Sequence, residues 1–563
     1  MNIKFKEKIK SNLLSGLPDS RSDIKADFIS GLSVTALVLP QTMAYSLIAG
    51  LPPVYGLYSA IIGMITASIL TSSKYLIVGP ANITSLAIAS VLSGIPEDNY
   101  LEAVLLFTFM IGAIQMLTGL LKLGELVKYI SRSVINGLLT GVGLLIISGQ
   151  LGYFFGFQHP SGSNIFMEFY YFIINLSKTN IYSLIISSLS IILIIIIKRY
   201  KADLAYLIPM TISIILVYFL GWENNLEVAG AFPPGVPSFN LFEFDSIFIF
   251  NYWSAALSTA LLGLMYTLST IKALKVKTGQ DLDFNKAFLN QGFINIICSF
   301  YGGFMTSGSM TKSFANLQAG ARSKLSQLIS ALSILPVLIF FRSLGAYIPI
   351  PALGSIVIVV AIGMIDFEEI KNSFQNKFDG IIFTITFITT IFAPRIDYAI
   401  YFGIGISLIL VLKNSNDLNY SYLTYHSQSD EFMSNDTAAP INDNYVLINL
   451  SGNITFNSIN RLKKELSNQE SLETSFIIRM QDVENIDLSF IKELEYFINK
   501  VQRNNGKVIF SGLNKSVAST LKDYDIDRII GKDNIYLSEN KLFVSTKMAI
   551  NQANKVSLSK SNS

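Results

Sequence analysis

Two short stretches carry the residue types that could hold a ligand. Gly79-Pro80-Ala81-Asn82-Ile83-Thr84-Ser85 and Thr306-Ser307-Gly308-Ser309-Met310-Thr311-Lys312-Ser313 stand near corresponding points of the two halves of a hydrophobic chain. Each is rich in glycine or hydroxyl residues, and each opens an apolar run too short to cross a bilayer. A helix of about 10–12 residues rises only ~15–18 Å, roughly half of a ~30 Å hydrocarbon core. Paired short or Gly/Pro-broken segments in two halves place half-helix N-termini, with unpaired N–H groups and positive dipole ends, at the bilayer midplane. That geometry favours an anion, and the chain is expected to carry one across the membrane.

The rest of the chain has to be built to position these segments in a bilayer. Of 563 residues, 51% are hydrophobic and 14% charged, against about 25% charge in an ordinary soluble domain. The mean hydropathy is +0.47. The net charge of +3 is too small to suggest nucleic-acid binding. The single cysteine, Cys298, excludes an intramolecular disulfide, and the two histidines, His159 and His426, fall outside the apolar runs, so neither a histidine relay nor a metal cluster is expected. The lysine-rich start (Lys4, Lys6, Lys8, Lys10) lacks a cleavage-like pattern and does not resemble a signal peptide. No nucleophile–base pair appears, so no enzyme activity and no cofactor are expected.

Hydrophobic runs mark about fourteen spans. The first seven lie near Phe28–Ser46, Tyr55–Leu70, Ala81–Leu92, Leu101–Leu121, Ile130–Gly149, Tyr182–Ile197 and Leu204–Leu220. The second seven lie near Trp253–Ile271, Ala287–Tyr301, Ser309–Ala319, Leu325–Phe341, Pro351–Ile365, Gly380–Phe392 and Ala399–Leu412. The aromatic-rich stretch from Asn164 to Leu176 predicts an interfacial helix. Seven plus seven is an odd-numbered repeat, so the second copy is inverted in the membrane. Lys74, Lys122, Arg132, Lys198, Arg199, Lys272, Lys275, Arg322 and Lys371 fall in alternate loops on the side of the N-terminus, whereas the opposite loops are acidic at Glu97, Asp98, Glu223 and Glu227. The positive-inside rule then puts both termini in the cytoplasm, in a multi-pass protein of the cytoplasmic (inner) membrane with lipid as its solvent. The expected organisation is a cytoplasmic N-terminal segment (1–26), a transmembrane domain (27–413), a polar linker (414–444), a small domain of alternating strands and helices (445–550) and a polar, disordered tail (551–563).

Leu39-Pro40-Gln41-Thr42-Met43-Ala44-Tyr45 followed by Ala49-Gly50-Leu51-Pro52-Pro53-Val54-Tyr55-Gly56-Leu57-Tyr58 resembles the first-span signature of the sulfate permease (SulP) family, the bacterial relatives of solute carrier family 26. Further matches are Val78-Gly79-Pro80, Asn290-Gln291-Gly292-Phe293-Ile294-Asn295, Gly302-Gly303-Phe304, Ala319-Gly320-Ala321-Arg322, Ile348-Pro349-Ile350-Pro351-Ala352-Leu353 and Gly363-Met364-Ile365-Asp366. Asp482-Val483-Glu484-Asn485-Ile486-Asp487 resembles the STAS domain that commonly ends these proteins. The resemblance implies a polytopic α-helical membrane protein of about 14 segments in a 7+7 inverted repeat, with a UraA-like core and gate and a small cytoplasmic α/β STAS domain. It further implies a homodimer and elevator-like transport of small inorganic or carboxylate anions, sulfate and bicarbonate among them.

Carried onto this chain, the family's anion site between spans three and ten comprises the N–H groups around Ala81, Asn82 and Ile83, those around Ser309, Met310 and Thr311, and the side chains of Gln41 and Tyr45. Gln41 and Tyr45 are one turn apart and share a helix face. Lys312 stands where most of the family carries an arginine. It either draws the anion as a cation that, unlike arginine, can lose its proton when buried, or it snorkels to an interface or neutralises a carboxylate. In span eight the family commonly places an acid after Leu-Gly-x-x, where Leu262-Gly263-Leu264-Met265 is here followed by Tyr266, with Thr270 one turn on. The missing carboxylate weakens sodium or proton symport by the family's usual route. Exchange against internal anion, uptake with a proton on Lys312, an uncoupled channel-like conductor and a sensor signalling through the STAS domain all stay open. Ser489 stands near the phosphorylated serine of antagonist-type STAS domains, but Phe490 replaces the usual glycine, and a capping or surface hydroxyl is the preferred reading.

Overall fold

The structure, a computed structural model, describes residues 18, 20–124, 131–157, 165–233, 236–414, 419–427, 429–435, 445–454, 475–539 and 543–561. His159, the N-terminal lysines and residues 455–474 of the small domain lie outside them. The chain divides into two compact units, Met1–Leu408 and Ile409–Ser563.

The first unit is helical. In order it contains α1 (Arg21–Ile48), α2 (Pro53–Leu70), β1 (Val78–Gly79), α3 (Asn82–Leu92), α4 (Glu97–Leu120), α5 (Arg132–Phe155), α6 (Ile165–Asn175), α7 (Ile181–Tyr200) and α8 (Leu207–Leu220). There follow α9 (Ser246–Thr278), α10 (Phe284–Phe300), β2 (Ser307–Gly308), α11 (Met310–Gln318), α12 (Leu325–Phe340), α13 (Ile350–Ile362), α14 (Phe367–Ser373), α15 (Lys377–Phe392) and α16 (Ile396–Asn414). Each apolar span marked in the sequence falls on one of these helices. Among the described residues, 8 helices are long and apolar enough to cross a membrane. The aromatic segment forms α6, which exposes Met167, Phe169, Tyr170 and Ile173 as a helix lying in an interface would. The helices outrun their apolar windows where a side chain caps the end. α1 begins at Arg21 because Ser20 accepts from the Asp23 N–H, and α9 begins at Ser246 because Asp245 accepts from the Ile247 N–H.

Lipid gives helices little hydrophobic reason to associate, so close backbone approach and interhelical hydrogen bonds must do it. Small residues mark the closest crossings. A Cβ on Gly292 of α10 would lie 2.4 Å from the Met116 nitrogen and 2.6 Å from the Gly112 oxygen of α4. A Cβ on Gly56 of α2 would lie 1.9 Å from the Thr42 oxygen of α1. Polar pairs hold α1 to α11 and α12: Ser30 Oγ donates to Asn316 Oδ1 (2.7 Å), and Thr35 Oγ1 to Ser330 Oγ (3.2 Å). Asp27, fully buried, accepts from the Arg322 and Ser323 N–H groups at 2.7 and 3.0 Å.

The second unit is a six-stranded sheet of order β4-β3-β5-β6-β7-β8. Its strands are β3 (Asn419–His426), β4 (Glu431–Asn435), β5 (Tyr445–Ile454), β6 (Ser475–Ile486), β7 (Val508–Leu513) and β8 (Ile535–Leu537). β5 to β8 are parallel, and β3 joins them antiparallel. Side chains alternate across a strand, so Phe476 and Ile478 of β6 pack under α17 (Leu488–Arg503) while Ile477 packs under α20 (Val544–Ser561). Between these helices come α18 (Lys515–Asp523) and α19 (Ile526–Ile530).

Two expectations about this part need correction. The stretch 414–444, read as linker from its polarity, contributes β3 and β4, because Tyr422 and Leu423 each reach a core on opposite faces of the sheet. The tail from Asn551 continues α20, with Ala553 fully buried against the sheet. Ser489 is a half-exposed second residue of α17, and Asp487 performs the capping instead, accepting from the Phe490 N–H at 2.9 Å.

The α4–α10 crossing has no room for a side chain. Gly292→Leu is expected to lower the thermal midpoint of the detergent-solubilised protein by several degrees, since overpacking costs about 1–3 kcal/mol. Gly405→Ala, which meets nothing within 4 Å, is expected to leave it unchanged. Fluorescence-detected size-exclusion after heating reads both.

Candidate anion site

β1 and β2 are each only two residues long and pair antiparallel, Val78 opposite Gly308 and Gly79 opposite Ser307. Each runs into a short helix, β1 into α3 and β2 into α11. Antiparallel lead-ins send the two half-helices away from one crossing point in opposite directions, so both N-termini stay beside it. α3 has 11 residues and α11 has 9. At 1.5 Å per residue neither spans the ~30 Å core, so the crossing stands well inside the bilayer.

Unwound backbone at that depth needs partners for its N–H and C=O groups. Two helices supply them, and a third steadies one of the side chains that does so. From α9, Thr267 Oγ1 accepts from the Gly308 N–H (2.9 Å), and Thr270 Oγ1 donates to the Gly308 carbonyl (3.0 Å). From α10, Asn295 Oδ1 accepts from the Thr306 N–H (2.8 Å), and Gln291 Nε2 donates to the Thr306 carbonyl (2.8 Å). From α4, Gln115 Oε1 accepts from Asn295 Nδ2 (2.8 Å). Across the crossing, the Ser309 N–H donates to the Ile77 carbonyl and Ser313 Oγ accepts from the Ile77 N–H, both at 2.9 Å.

The two helix starts themselves are open. Side chains close other helix N-termini in this chain, including Ser131 on α5, Asn180 on α7, Asp283 on α10 and Asn376 on α15. Ala81 and Ser309, the N-caps of α3 and α11, make no such bond. Ser309 is of a type that could cap, yet its side chain does not.

Lys312 lies in the first turn of α11 and is fully buried. Its Nζ donates to the Pro80 carbonyl at 2.8 Å and sits 5.3 Å from the centroid of the Tyr45 ring. A cation in the first turn is at the wrong end of the helix dipole. Among the described residues, no carboxylate forms an ion pair with it. The buried acids of this unit among the described residues are engaged elsewhere: Asp27 with the turn before α12, Asp397 with Arg395 at 2.9 Å, and Glu168 with Ser148.

The structure gathers most of the residues singled out in the sequence but sorts them. Gln41 and Tyr45 are buried on one face of α1, with Tyr45 against Lys312 and close to Tyr266. Ala81, Asn82, Ile83 and Ser309 are buried at the two helix starts, and Met310 is half-buried. Asn82 turns its side chain to the Met364 sulfur (2.8 Å) and to the next N–H, that of Ile83 (2.9 Å). Thr270 is spent on the strand backbone, and Thr311 is exposed beside Lys312 rather than packed at the crossing. The residues not singled out as site residues are Gln115, Thr267, Gln291, Asn295 and Met364, the last three quoted only as parts of family motifs. Three amides, Gln115, Gln291 and Asn295, sit inside apolar spans, and that placement was the signal that could have found them.

The sulfate permease family model matches residues 24–386, and the STAS domain model matches residues 436–542. The chain is 27% identical to sulfate transporter 4.1 of the Arabidopsis thaliana chloroplast over 90% of this chain and 78% of that one. It is 26% identical to the putative sulfate transporter YvdB of Bacillus subtilis over 91% and 95%. In fold it is similar to the inward-facing murine solute carrier 26 family member A9 anion transporter, with TM-score 0.87 and 20% identity over 99% of this chain and 95% of that one. It is also similar to the transmembrane domain of the cyanobacterial bicarbonate transporter BicA, with TM-score 0.61 and 23% identity over 69% and 99%. These are transporters and not enzymes, and the chain, a multi-pass membrane protein with a C-terminal STAS domain, belongs to the sulfate permease family of anion transporters.

Proposed function

We propose that this protein is a secondary transporter that holds one small anion between the N-termini of α3 and α11. The observation that carries the reading is Lys312, a fully buried lysine between two uncapped helix starts with no carboxylate paired to it among the described residues. Everything at this point is short of negative charge, and a bound anion is the missing partner. The N–H groups of Asn82, Met310 and Thr311 point along their helix axes toward the crossing, as first-turn donors do, while that of Ile83 is taken by Asn82 Oδ1. Tyr45 supplies a ring face to the ammonium, and the Tyr45 and Tyr266 hydroxyls supply further donors. Sulfate and bicarbonate, the substrates named in the relatives' descriptions, are both of the class such a site takes.

The same lysine limits how the carrier moves. An uncompensated cation is costly to carry through a low-dielectric layer, so the empty site resists reorientation and the loaded site does not. That asymmetry favours exchange of one anion for another over net movement coupled to sodium. The engaged states of Asp27, Asp397 and Glu168 agree, since among the described residues no buried acid is left over at the crossing to tip a site toward sodium. Elevator-like movement of the unit bearing α3 and α11, cytoplasmic termini and a homodimeric assembly belong to the same proposal, resting on the family resemblance and the charge pattern of the loops.

Radiolabelled sulfate and bicarbonate uptake into proteoliposomes tests this reading, with sodium, proton and internal-anion gradients imposed one at a time. Uptake is expected to follow the internal anion and to ignore sodium. Strict dependence on a sodium gradient would refute the exchange reading. Lys312→Gln is expected to weaken anion uptake at sub-saturating concentration by more than about tenfold, the scale of one lost charge-assisted hydrogen bond. Lys312→Arg, which keeps the charge, is expected to retain more activity than Lys312→Gln in the same assay.

A further inference from the structure

The helices around the anion site fall into two sets by how they are held. α3 and α11 start at the strand crossing, α4, α9 and α10 brace it, and α1 and α12 are bonded to one another and, through Ser30, to α11. In the second set the backbones approach one another just as closely. A Cβ on Gly137 of α5 would lie 2.6 Å from the Phe383 oxygen of α15. One on Gly403 of α16 would lie 2.7 Å from Val134 of α5 and 2.8 Å from Thr386 of α15. Ser133 Oγ of α5 also donates to Asp379 of α15 at 2.9 Å. Without room between them, α5, α15 and α16 form one packed body.

Side chains tie the two sets together at the end of α3 that faces away from the crossing. Ser90 lies about 12 Å along α3 from Asn82, at 1.5 Å per residue, toward the acidic loop of Glu97 and Asp98. Its Oγ accepts from the N–H of Ile396, the first residue of α16, at 3.2 Å. The first N–H groups of a helix have no partner within it, and here α3 meets the first of them. Arg395 and Asp397 fix the chain on either side of Ile396 with a two-pronged ion pair, Nε to Oδ1 at 3.0 Å and Nη2 to Oδ2 at 2.9 Å. Further along α16, the Tyr401 hydroxyl donates to the Ser254 carbonyl of α9. A phenol has one hydrogen, so in the 3.0 Å contact between the two hydroxyls Ser254 Oγ donates to Tyr401 Oη. Each of these bonds joins one set to the other. A hydrogen bond is lost beyond about 3.5 Å, so a shift of α3 and α9 along α16 by more than about an ångström breaks them.

We propose that Ser90, Ser254 and Tyr401 are positioning residues for transport. Together they latch α3 and α9 to α16 on the side of the acidic loops, hold the anion site closed toward that side, and release each time the site turns to it. The latch rests on the proposed movement of the unit bearing α3 and α11, and it adds the contacts that set which side the resting site faces. Leu86, one turn before Ser90 on the same face of α3, reports on it. With the latch closed Leu86 is half-buried against the apolar cluster that contains Ile396, Ala399 and Ile400 of α16; with the latch released it faces the opening.

The test is the rate at which a membrane-impermeant maleimide, added outside intact expressing cells, labels Leu86→Cys in a Cys298→Ala background. Tyr401→Phe deletes both bonds to Ser254 and keeps the ring, and is expected to raise that rate about fivefold, the population shift that one net hydrogen bond carries. Ser90→Ala is expected to raise it in the same direction. Exchange of radiolabelled sulfate, or of bicarbonate where sulfate is not carried, gives a second readout. An apparent half-saturation constant varies inversely with the fraction of carriers facing the ligand. In Tyr401→Phe the external constant is therefore expected to fall about fivefold while the internal one changes little. Unchanged or slower labelling in Tyr401→Phe overturns the proposal, and Ser90→Ala decides in its place if Tyr401→Phe does not fold. A lower maximal rate with both constants unchanged also overturns it, since that marks a residue that only supports the fold. Faster labelling in the variants of a parent protein that exchanges no anion leaves the latch standing and sinks the transporter reading. Exchange by the parent with labelling unchanged in the variants does the reverse.

Discussion

Unwound backbone in the middle of a bilayer is the constraint on which the rest of this structure depends. Residues around Thr306 to Ser309 leave helical geometry where there is no bulk water, and each of their polar groups costs several kcal/mol if unmet. Thr267, Thr270, Gln291 and Asn295 meet those groups from α9 and α10, and Gln115 steadies Asn295 from α4. The close α4–α10 crossing, with no room for a Cβ on Gly292, is what brings these amides within reach. Close packing at the periphery and an open backbone at the centre are therefore parts of one arrangement.

That arrangement concentrates positive potential. Two helix starts without caps and a buried lysine meet beside a pair of two-residue strands. A soluble protein would neutralise such a point with a carboxylate, and in this unit the buried carboxylates serve other bonds. In the proposed function, charge is left for the substrate to balance, and the loaded site is closer to neutral than the empty one.

The second unit obeys soluble-protein rules. Its parallel strands are buried on both faces, and its helices carry one apolar stripe each, as in α17, where Phe490, Leu494, Phe497 and Val501 are buried at helical spacing. Strands β3 and β4 extend this sheet with tyrosines and a phenylalanine amid polar residues, a composition that looks like linker until the neighbouring strand is present to pair with it.

By itself the sequence determined what depends on local composition and period. Apolar run lengths placed the membrane helices, the two interrupted runs marked the half-helices, and the motifs from Leu39 to Asp366 identified the family. Residues Gln41, Tyr45, Ala81 and Lys312 could be picked out because the family resemblance marks their positions. Only the tertiary structure decided the partners of these residues. Thr270 was selected as a site residue and is a backbone brace; Gln115 was passed over and accepts from Asn295 across a sequence separation of more than a hundred residues. A hydroxyl or an amide has the same appearance in a sequence whether it holds a strand, a ligand or another side chain. Which of these it does is set by hydrogen-bond geometry over a few ångströms, and that distance exists only after the helices have packed.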